Sequence, residues 1–397
     1  MRKSAFLLSL VFILIVPWEG VIELPGLGTG TEVLGFLLAA FWLASVLFTN
    51  NFRKPHPFHL VVLLFVLWNA LSIFWSTDPR RTLDQIMTWA LLVILIFIIW
   101  DLYTTRAAMM AGLQAYIFGA FVSIGNAISN FFNQNAYYSH YERFSPGDLN
   151  PDGFGFIVAL GVPVAWYLAS SENTTKIGGI LRLLNYAYIP AAFIGLALSG
   201  TRTAMIATIP GIIFGLATLT RLRIWARIAI FILLTSGIFL LLPVVQPLRS
   251  FQRFGTTADA LSSGDLNQRT YLWREGMEAF VENPILGVGS NMFRSINGLG
   301  KVAHNTYISV LVELGLVGFA LFGIVLMIVF NQAWRQHNWE RRFWLSILLV
   351  WAIGASTLTW EFRKTTWLFF SLALTSATLT HLHNKEISAQ VRPVGSR

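Results

Sequence analysis

Between a long polar stretch and an uninterrupted run of hydrophobes stand His304-Asn305-Thr306-Tyr307 and, nine residues after the histidine, Glu313-Leu314-Gly315. An imidazole titrates near neutral pH, so His304 can take a proton from a hydroxyl or orient it by hydrogen bonding. The plainer alternative is a polar cap at a helix end. Ionisable groups at the mouth of an apolar helix are costly unless they have polar work. A spacing of nine residues is two and a half helical turns, so Glu313 falls on the opposite side from His304 and the two make no simple dyad. Glu313 is expected to orient a neighbouring element or to pair with a cation such as Arg202 or Arg269. The seven histidines are scattered without HxxxH or HExxH spacing, so neither a metal nor another cofactor is expected.

Arginines supply the second chemistry. Arg202 stands in Leu198-Ser199-Gly200-Thr201-Arg202-Thr203-Ala204-Met205, between two apolar stretches. It could be an interfacial anchor that snorkels. The small polar residues around it favour a phosphate site, in which the Ser-Gly-Thr turn and the following helix N-terminus add backbone N–H groups. Arg269 shares a helical face with Trp273 and reads as a second anion site. Arg274 points elsewhere and is as well explained by an i, i+4 pair with Glu278. Arg294 and Lys301 read as plain interfacial charges. Asp148, Asn150 and Asp152 close an earlier polar stretch; Asx-Pro clusters are usually turns, yet these abut a Gly-rich helix start.

These residues need a scaffold, and composition indicates which. The 397 residues are 55% hydrophobic and only 12% charged, far from the roughly 25% charged usage of soluble domains. Apolar stretches long enough for a ~30 Å hydrocarbon core recur throughout, and the alternation of an outer-membrane barrel is absent. An all-α polytopic membrane protein follows, with about twelve helices at 4–18, 32–49, 58–75, 83–100, 107–128, 153–170, 183–199, 203–219, 228–246, 306–330, 344–360 and 365–381. The basic start and apolar run from Arg2 to Trp18 lack a small-residue cleavage site, so a retained first span is expected. There are no cysteines, which excludes disulfides and thiolate metal sites.

With the N-terminus inside, inner segments collect 16 of the 28 basic residues and only 4 of the 19 acidic ones, so both termini are expected to be cytoplasmic. The net charge of +9 then reports orientation, not nucleic-acid binding. Two outer segments are long, about 129–152 and 247–303. The second contains helical spacing from Gln268 to Asn283, with Tyr271, Met277 and Phe280 apolar, stopped by Asn283-Pro284-Ile285-Leu286-Gly287-Val288-Gly289. An amphipathic helix lying on the outer membrane face is expected there. Residues 1–381 form one helical domain in this reading, and 382–397 a short cytoplasmic tail.

Leu-Ser-Gly-Thr-Arg-Thr-Ala around Arg202, the run from Arg269 through Trp273 to Gly289, and His304 to Gly315 with its histidine-ten residues-glycine spacing resemble the O-antigen ligase/polymerase superfamily. The resemblance implies a GT-C-like bundle with one large periplasmic loop containing short helices. It implies an undecaprenyl-pyrophosphate-linked glycan donor, cleaved without a metal at the outer face of a bacterial inner membrane. The acceptor would be a sugar of the lipid A core in ligases, or another lipid-linked repeat unit in polymerases. Arg202 and Arg269 would hold the pyrophosphate, and His304 would activate or orient the acceptor hydroxyl. Arg274, Asn305, Tyr307, Glu313, Asp148 and Asn150 are further candidates for contacting substrate. The rivals are a twelve-helix secondary transporter and a lipid-glycan flippase, but a carrier would place ionisable residues at mid-membrane. Here the spans are nearly free of charge in their middles.

Overall fold

The computed structural model describes the chain except residues 25–27, 172–175, 222–223, 254, 256–267 and 391–397. The first nine helices are α1 (Arg2–Ile15), α2 (Gly30–Thr49), α3 (Pro57–Leu71), α4 (Pro79–Leu102), α5 (Arg106–Phe132), α6 (Pro151–Ser170), α7 (Lys176–Ser199), α8 (Arg202–Thr218) and α9 (Ile224–Val245). After a short turn at Arg249–Gln252 come α10 (Arg269–Glu282), α11 (Thr306–Trp334), α12 (Asn338–Ala355) and α13 (Lys364–Gln390). A two-residue hairpin pairs Glu23 with Thr29; the remaining regular structure is helical.

Every predicted apolar stretch is helical, and α10 fills the helix expected inside the second long segment. Among the described residues, however, seven helices are long and apolar enough to cross a membrane: α2, α3 with its following turn, α4, α5, α6, α7 and α11. The expected twelve crossings are therefore not reached on length and composition. α1 has 14 residues and α8 has 17, too short for a full ~30 Å crossing at 1.5 Å per residue. Helix α12 stops at Ala355, short of 360, where Ser356 to Arg363 turn into a polar connection. Helix α13 continues to Gln390, so the expected tail from 382 is helical up to that point.

Starts are set by local chemistry. Asp78, Thr105, Asn150 and Asn305 each accept a first-turn N–H at the heads of α4, α5, α6 and α11, and proline opens α3, α4 and α6. Helix α6 is the axis of the bundle, buried along nearly its whole length. Its small residues allow that. A Cβ on Gly161 would lie 2.1 Å from the Tyr188 hydroxyl, and one on Gly155 would lie 2.9 Å from Ala204 Cβ. Tyr188 donates to the Val158 carbonyl at 3.1 Å, tying α7 to α6. In lipid such close packing replaces the hydrophobic effect as the source of helix association.

Ion pairs among the described residues sort cleanly to two ends. Arg2–Asp101 and Arg106–Glu340 lie at the end where α1 begins; Arg143–Asp152, Arg81–Asp78 and the pairs of Glu19 with Arg363 and Lys364 lie at the other. The second end carries the long polar segments.

One helix is broken there. Gly315 adopts φ +63°, ψ −168° inside α11, leaving backbone groups unsatisfied. The segment after α10 supplies partners. Val288 and Gly289 donate to the carbonyls of Val312 and Glu313 at 3.0 and 2.9 Å, and Leu316 donates to Pro284 at 2.8 Å. The two chains approach so closely that a Cβ on Gly287 would meet the Glu313 oxygen at 2.4 Å, and one on Gly315 the Ile285 oxygen at 2.2 Å. Two separate sequence motifs are thus one structural unit.

Candidate active site

At this second end, among the described residues, Arg143, Arg253 and Arg269 gather around the Asp152 carboxylate and Arg202 lies beside Arg253. Arg143 is almost fully buried. It donates through Nε to the Ser199 carbonyl at 2.6 Å, and through Nη2 to Asp152 Oδ1 at 2.6 Å and Thr201 Oγ1 at 2.9 Å. Nε and Nη2 of that fork are thereby held by protein. Asp152, one residue into α6, also lies within electrostatic reach of Arg269 and Arg253. Arg202, the first residue of α8, donates through Nε to the Arg253 carbonyl at 2.9 Å. Burial pulls the Arg269 guanidinium below its ordinary value, Asp152 opposing, but arginine stays charged at physiological pH.

Helix α10 delivers Arg269 to this cluster and His304 stands at its edge. Trp273 donates to the Ala303 carbonyl at 2.8 Å and Lys301 to Gln268 Oε1 at 3.0 Å, so α10 is clamped to the segment before His304. Leu272, Phe293, Ala303 and Val312 form a small separate core under it. That core corrects the predicted apolar face: Leu272, Trp273, Gly276 and Phe280 turn inward, while Tyr271 and Met277 are exposed. The helix rests on α11.

His304 occupies the left-handed region at φ +47°, and Gln268, immediately before Arg269, does so at +66°. Such backbone costs roughly 1–2 kcal/mol in a residue with a Cβ and persists only where its surroundings impose it. Burial, then the Arg269 charge, holds the imidazole down to about 4, with Asp152 opposing. It is therefore neutral at physiological pH and competent to accept a proton. His304, Asp148 and Asn150 line a polar cleft of about 670 Å³ whose far wall carries Glu19, Arg363 and Lys364.

The structure thus brings Arg202, Arg269 and His304 into one neighbourhood. The remaining candidates are placed as follows. Of the two roles expected of Glu313, the structure shows the first: it pairs with neither Arg202 nor Arg269, and its two oxygens accept the N–H groups of Asn291 and Phe293 at 2.8 and 3.0 Å, so it orients the loop beneath α10. Asn305 caps α11 and donates to the Ser356 carbonyl at 3.1 Å. Tyr307 is turned into the bundle, its hydroxyl on the Ala352 carbonyl at 3.3 Å. Arg274 is exposed, beside the Tyr271 ring and away from the other arginines. Asn150 caps α6 through Asp152 N at 2.8 Å while one face borders the cleft, and Asp148 is exposed beside it.

The Ser-Gly-Thr turn also differs from expectation. Gly200 N bonds to Leu196 and Ala197, Thr201 N bonds to Ser199 Oγ, and Ser250 packs against Gly200, so the turn's own N–H groups are spent. An anion would meet the start of α8 instead, where Thr201 gives no side-chain cap.

Sequence reasoning passed over Arg143, Arg253 and the charge of Asp152. No periodicity marks them; the available signal was that each falls in an outer segment whose basic residues orientation does not explain.

Residues 187–323 match the family model described as O-antigen ligase, a stretch containing Arg202, Arg269, His304 and Gly315. The chain is 24% identical over 327 residues to the exopolysaccharide production protein ExoQ of Rhizobium meliloti (strain 1021), covering 73% of this chain and 68% of the relative. The chain is thus similar to the O-antigen ligase family over residues 187–323 and to an exopolysaccharide production protein over most of its length.

Proposed function

We propose that this protein transfers a glycan from an undecaprenyl-pyrophosphate carrier to an acceptor hydroxyl at the outer face of a bacterial inner membrane, with both termini cytoplasmic. The observation that carries the reading is the clustering of arginines beside the imidazole. Among the described residues, Arg143, Arg253 and Arg269 lie within electrostatic reach of Asp152, Arg202 lies beside Arg253, and Arg269 acts on a neutral His304. A diphosphate leaving group, gaining charge as it departs, is the complement of that field, and arginines can do there what a metal ion does elsewhere.

Arg202 and Arg269 grip the pyrophosphate; Arg143, already fixed by Asp152, Thr201 and Ser199, sets the field behind them. The acceptor oxygen bonds to the anomeric carbon as the bond to the pyrophosphate oxygen breaks, and the hydroxyl proton passes to His304. Positioning of two bound reactants supplies much of the remaining acceleration.

Two acceptors have separate support. The domain match favours ligation onto a lipid A-core sugar; the similarity to an exopolysaccharide production protein favours polymerisation of repeat units. Gel analysis of surface polysaccharide after gene deletion separates them: accumulated unligated polymer signals ligation, and single-repeat product signals polymerisation. Complementation with Arg269→Lys should restore little product, because a point charge lacks the guanidinium fork. Full restoration by Lys would remove bidentate phosphate binding from the scheme.

A further inference from the structure

Tyr137 and Tyr138, in the segment between α5 and α6, line the same cleft as His304. Aromatic side chains near a bilayer surface commonly serve as interfacial anchors. This pair is more tightly built than an anchor requires. The two rings meet edge to face, with centroids 4.8 Å apart and planes at 77°. Asn150 donates to the Tyr138 hydroxyl at 3.3 Å. Tyr138 also forms an antiparallel bridge with Arg143, whose guanidinium carbon lies 5.5 Å from the Tyr138 ring centre. Phe144 N then bonds to the Leu198 carbonyl at 2.9 Å, which fastens the segment to the end of α7. The tyrosines nevertheless remain 42% and 41% exposed. An edge-to-face contact covers a face of one ring only, and Arg143 takes a face of Tyr138, so aromatic face is left open on the cleft. Asp148, exposed and within electrostatic reach of Tyr137, borders the cleft beside it.

We infer that Tyr137 and Tyr138 are the platform on which the first sugar of the donor stacks, the sugar joined to the pyrophosphate. This rests on the transferase reading above and specifies how its donor is recognised. A pyranose is amphipathic: weakly positive C–H bonds crowd its faces, and hydroxyls ring its edge. The C–H face complements the negative face of an aromatic ring, and the hydroxyl rim can donate to a carboxylate such as Asp148. Arg143 joins Tyr138 to the cluster proposed to hold the pyrophosphate, and His304 opens on the same cleft, so a stacked sugar would adjoin both leaving group and base. Fixing the rings in advance lowers the ordering cost of binding. The platform also favours turnover. Once the glycan has moved to the acceptor, the carrier keeps its pyrophosphate contacts and loses the stack, which speeds its release.

The test uses the full chain in nanodiscs and two ligands, lipid-linked oligosaccharide extracted from the deletion strain and bare undecaprenyl pyrophosphate. Wild-type protein should bind the sugared lipid more tightly, and the bare lipid should displace it competitively. Tyr137→Ala with Tyr138→Ala should weaken the sugared lipid roughly tenfold, as loss of an aromatic stack predicts. The same double variant should bind the bare lipid as wild type does, which also reports an intact fold. Tyr137→Phe with Tyr138→Phe keeps the ring faces and should bind both ligands normally. In transfer assays the alanine pair should raise KM by a similar factor, with kcat within about threefold of wild type, the mark of lost binding and not lost chemistry. Equal weakening of both ligands, loss in the phenylalanine pair, unchanged affinity in the alanine pair, or failure of the bare lipid to displace the sugared one would overturn the inference. Wild-type protein that prefers the sugared lipid yet transfers no glycan would instead refute the transferase reading.

Discussion

Replacing His304 with asparagine separates backbone from chemistry. The residue sits at φ +47°, a conformation asparagine adopts readily, so His304→Asn should leave the melting temperature in detergent essentially unchanged. Glycan transfer should nevertheless fall roughly 10²- to 10⁴-fold, the usual contribution of a positioned general base. The pH profile is the sharper test. Burial is the main cause that holds the imidazole at about 4, and Arg269 adds to it. The neutral form is the one that accepts a proton, so kcat/KM should be level from pH 5 to 8 and be lost only as pH drops through about 4. An ordinary histidine would lose it near 6.5. Arg269→Gln removes a repelling cation and should move this acid limb upward, though not to 6.5, because burial remains. Acylation of His304 by diethylpyrocarbonate against pH, with His304→Asn as blank, follows the same titration without requiring turnover. A wild-type limb between 6 and 7, no upward movement in Arg269→Gln, or transfer by His304→Asn within about threefold of wild type would refute the reasoning.

Two further expectations concern the frame around the site. Gly315→Ala forces a Cβ to within 2.2 Å of the Ile285 oxygen at φ +63°, so thermal stability should fall by at least ~2 kcal/mol, and an unchanged melt would mean that the two segments do not cross as described. Asp152→Asn leaves the buried Arg143 without its counter-charge; because Asp152 retains some exposure and asparagine can still accept a hydrogen bond, a loss of about 1–3 kcal/mol is expected, measurable by denaturation in detergent.

Much of the scaffold could be read from the chain because its causes are local. Apolar runs gave the helices, and Asn283-Pro284 marked the end of α10. Arg202, Arg269 and His304 stood out because cations and an imidazole beside apolar helices are costly without a task. Residues whose meaning depends on distant partners stayed hidden. Arg143 is an unremarkable arginine in a tyrosine-rich stretch until Ser199 and Thr201 close around it. Tyr307 shares a motif with His304, yet helical rotation sends its ring toward Trp351. Boundaries failed for a similar reason: α12 stops early because Thr306 binds Leu358 and Trp360, and Ser309 binds Glu361, which hold the following connection against α11.

The interruption at Gly315 also acts as a depth gauge. Below it, Leu316–Trp334 is 19 residues, about 28 Å of helix at 1.5 Å per residue, close to the thickness of a hydrocarbon layer. The nine residues above it, Thr306–Leu314, add up to about 13 Å more and end beside His304. That upper piece is wedged among loops and has no need of lipid around it. A sugar pyrophosphate could therefore meet the imidazole at head-group level while its carrier stays immersed, with neither partner dragged across a dielectric boundary.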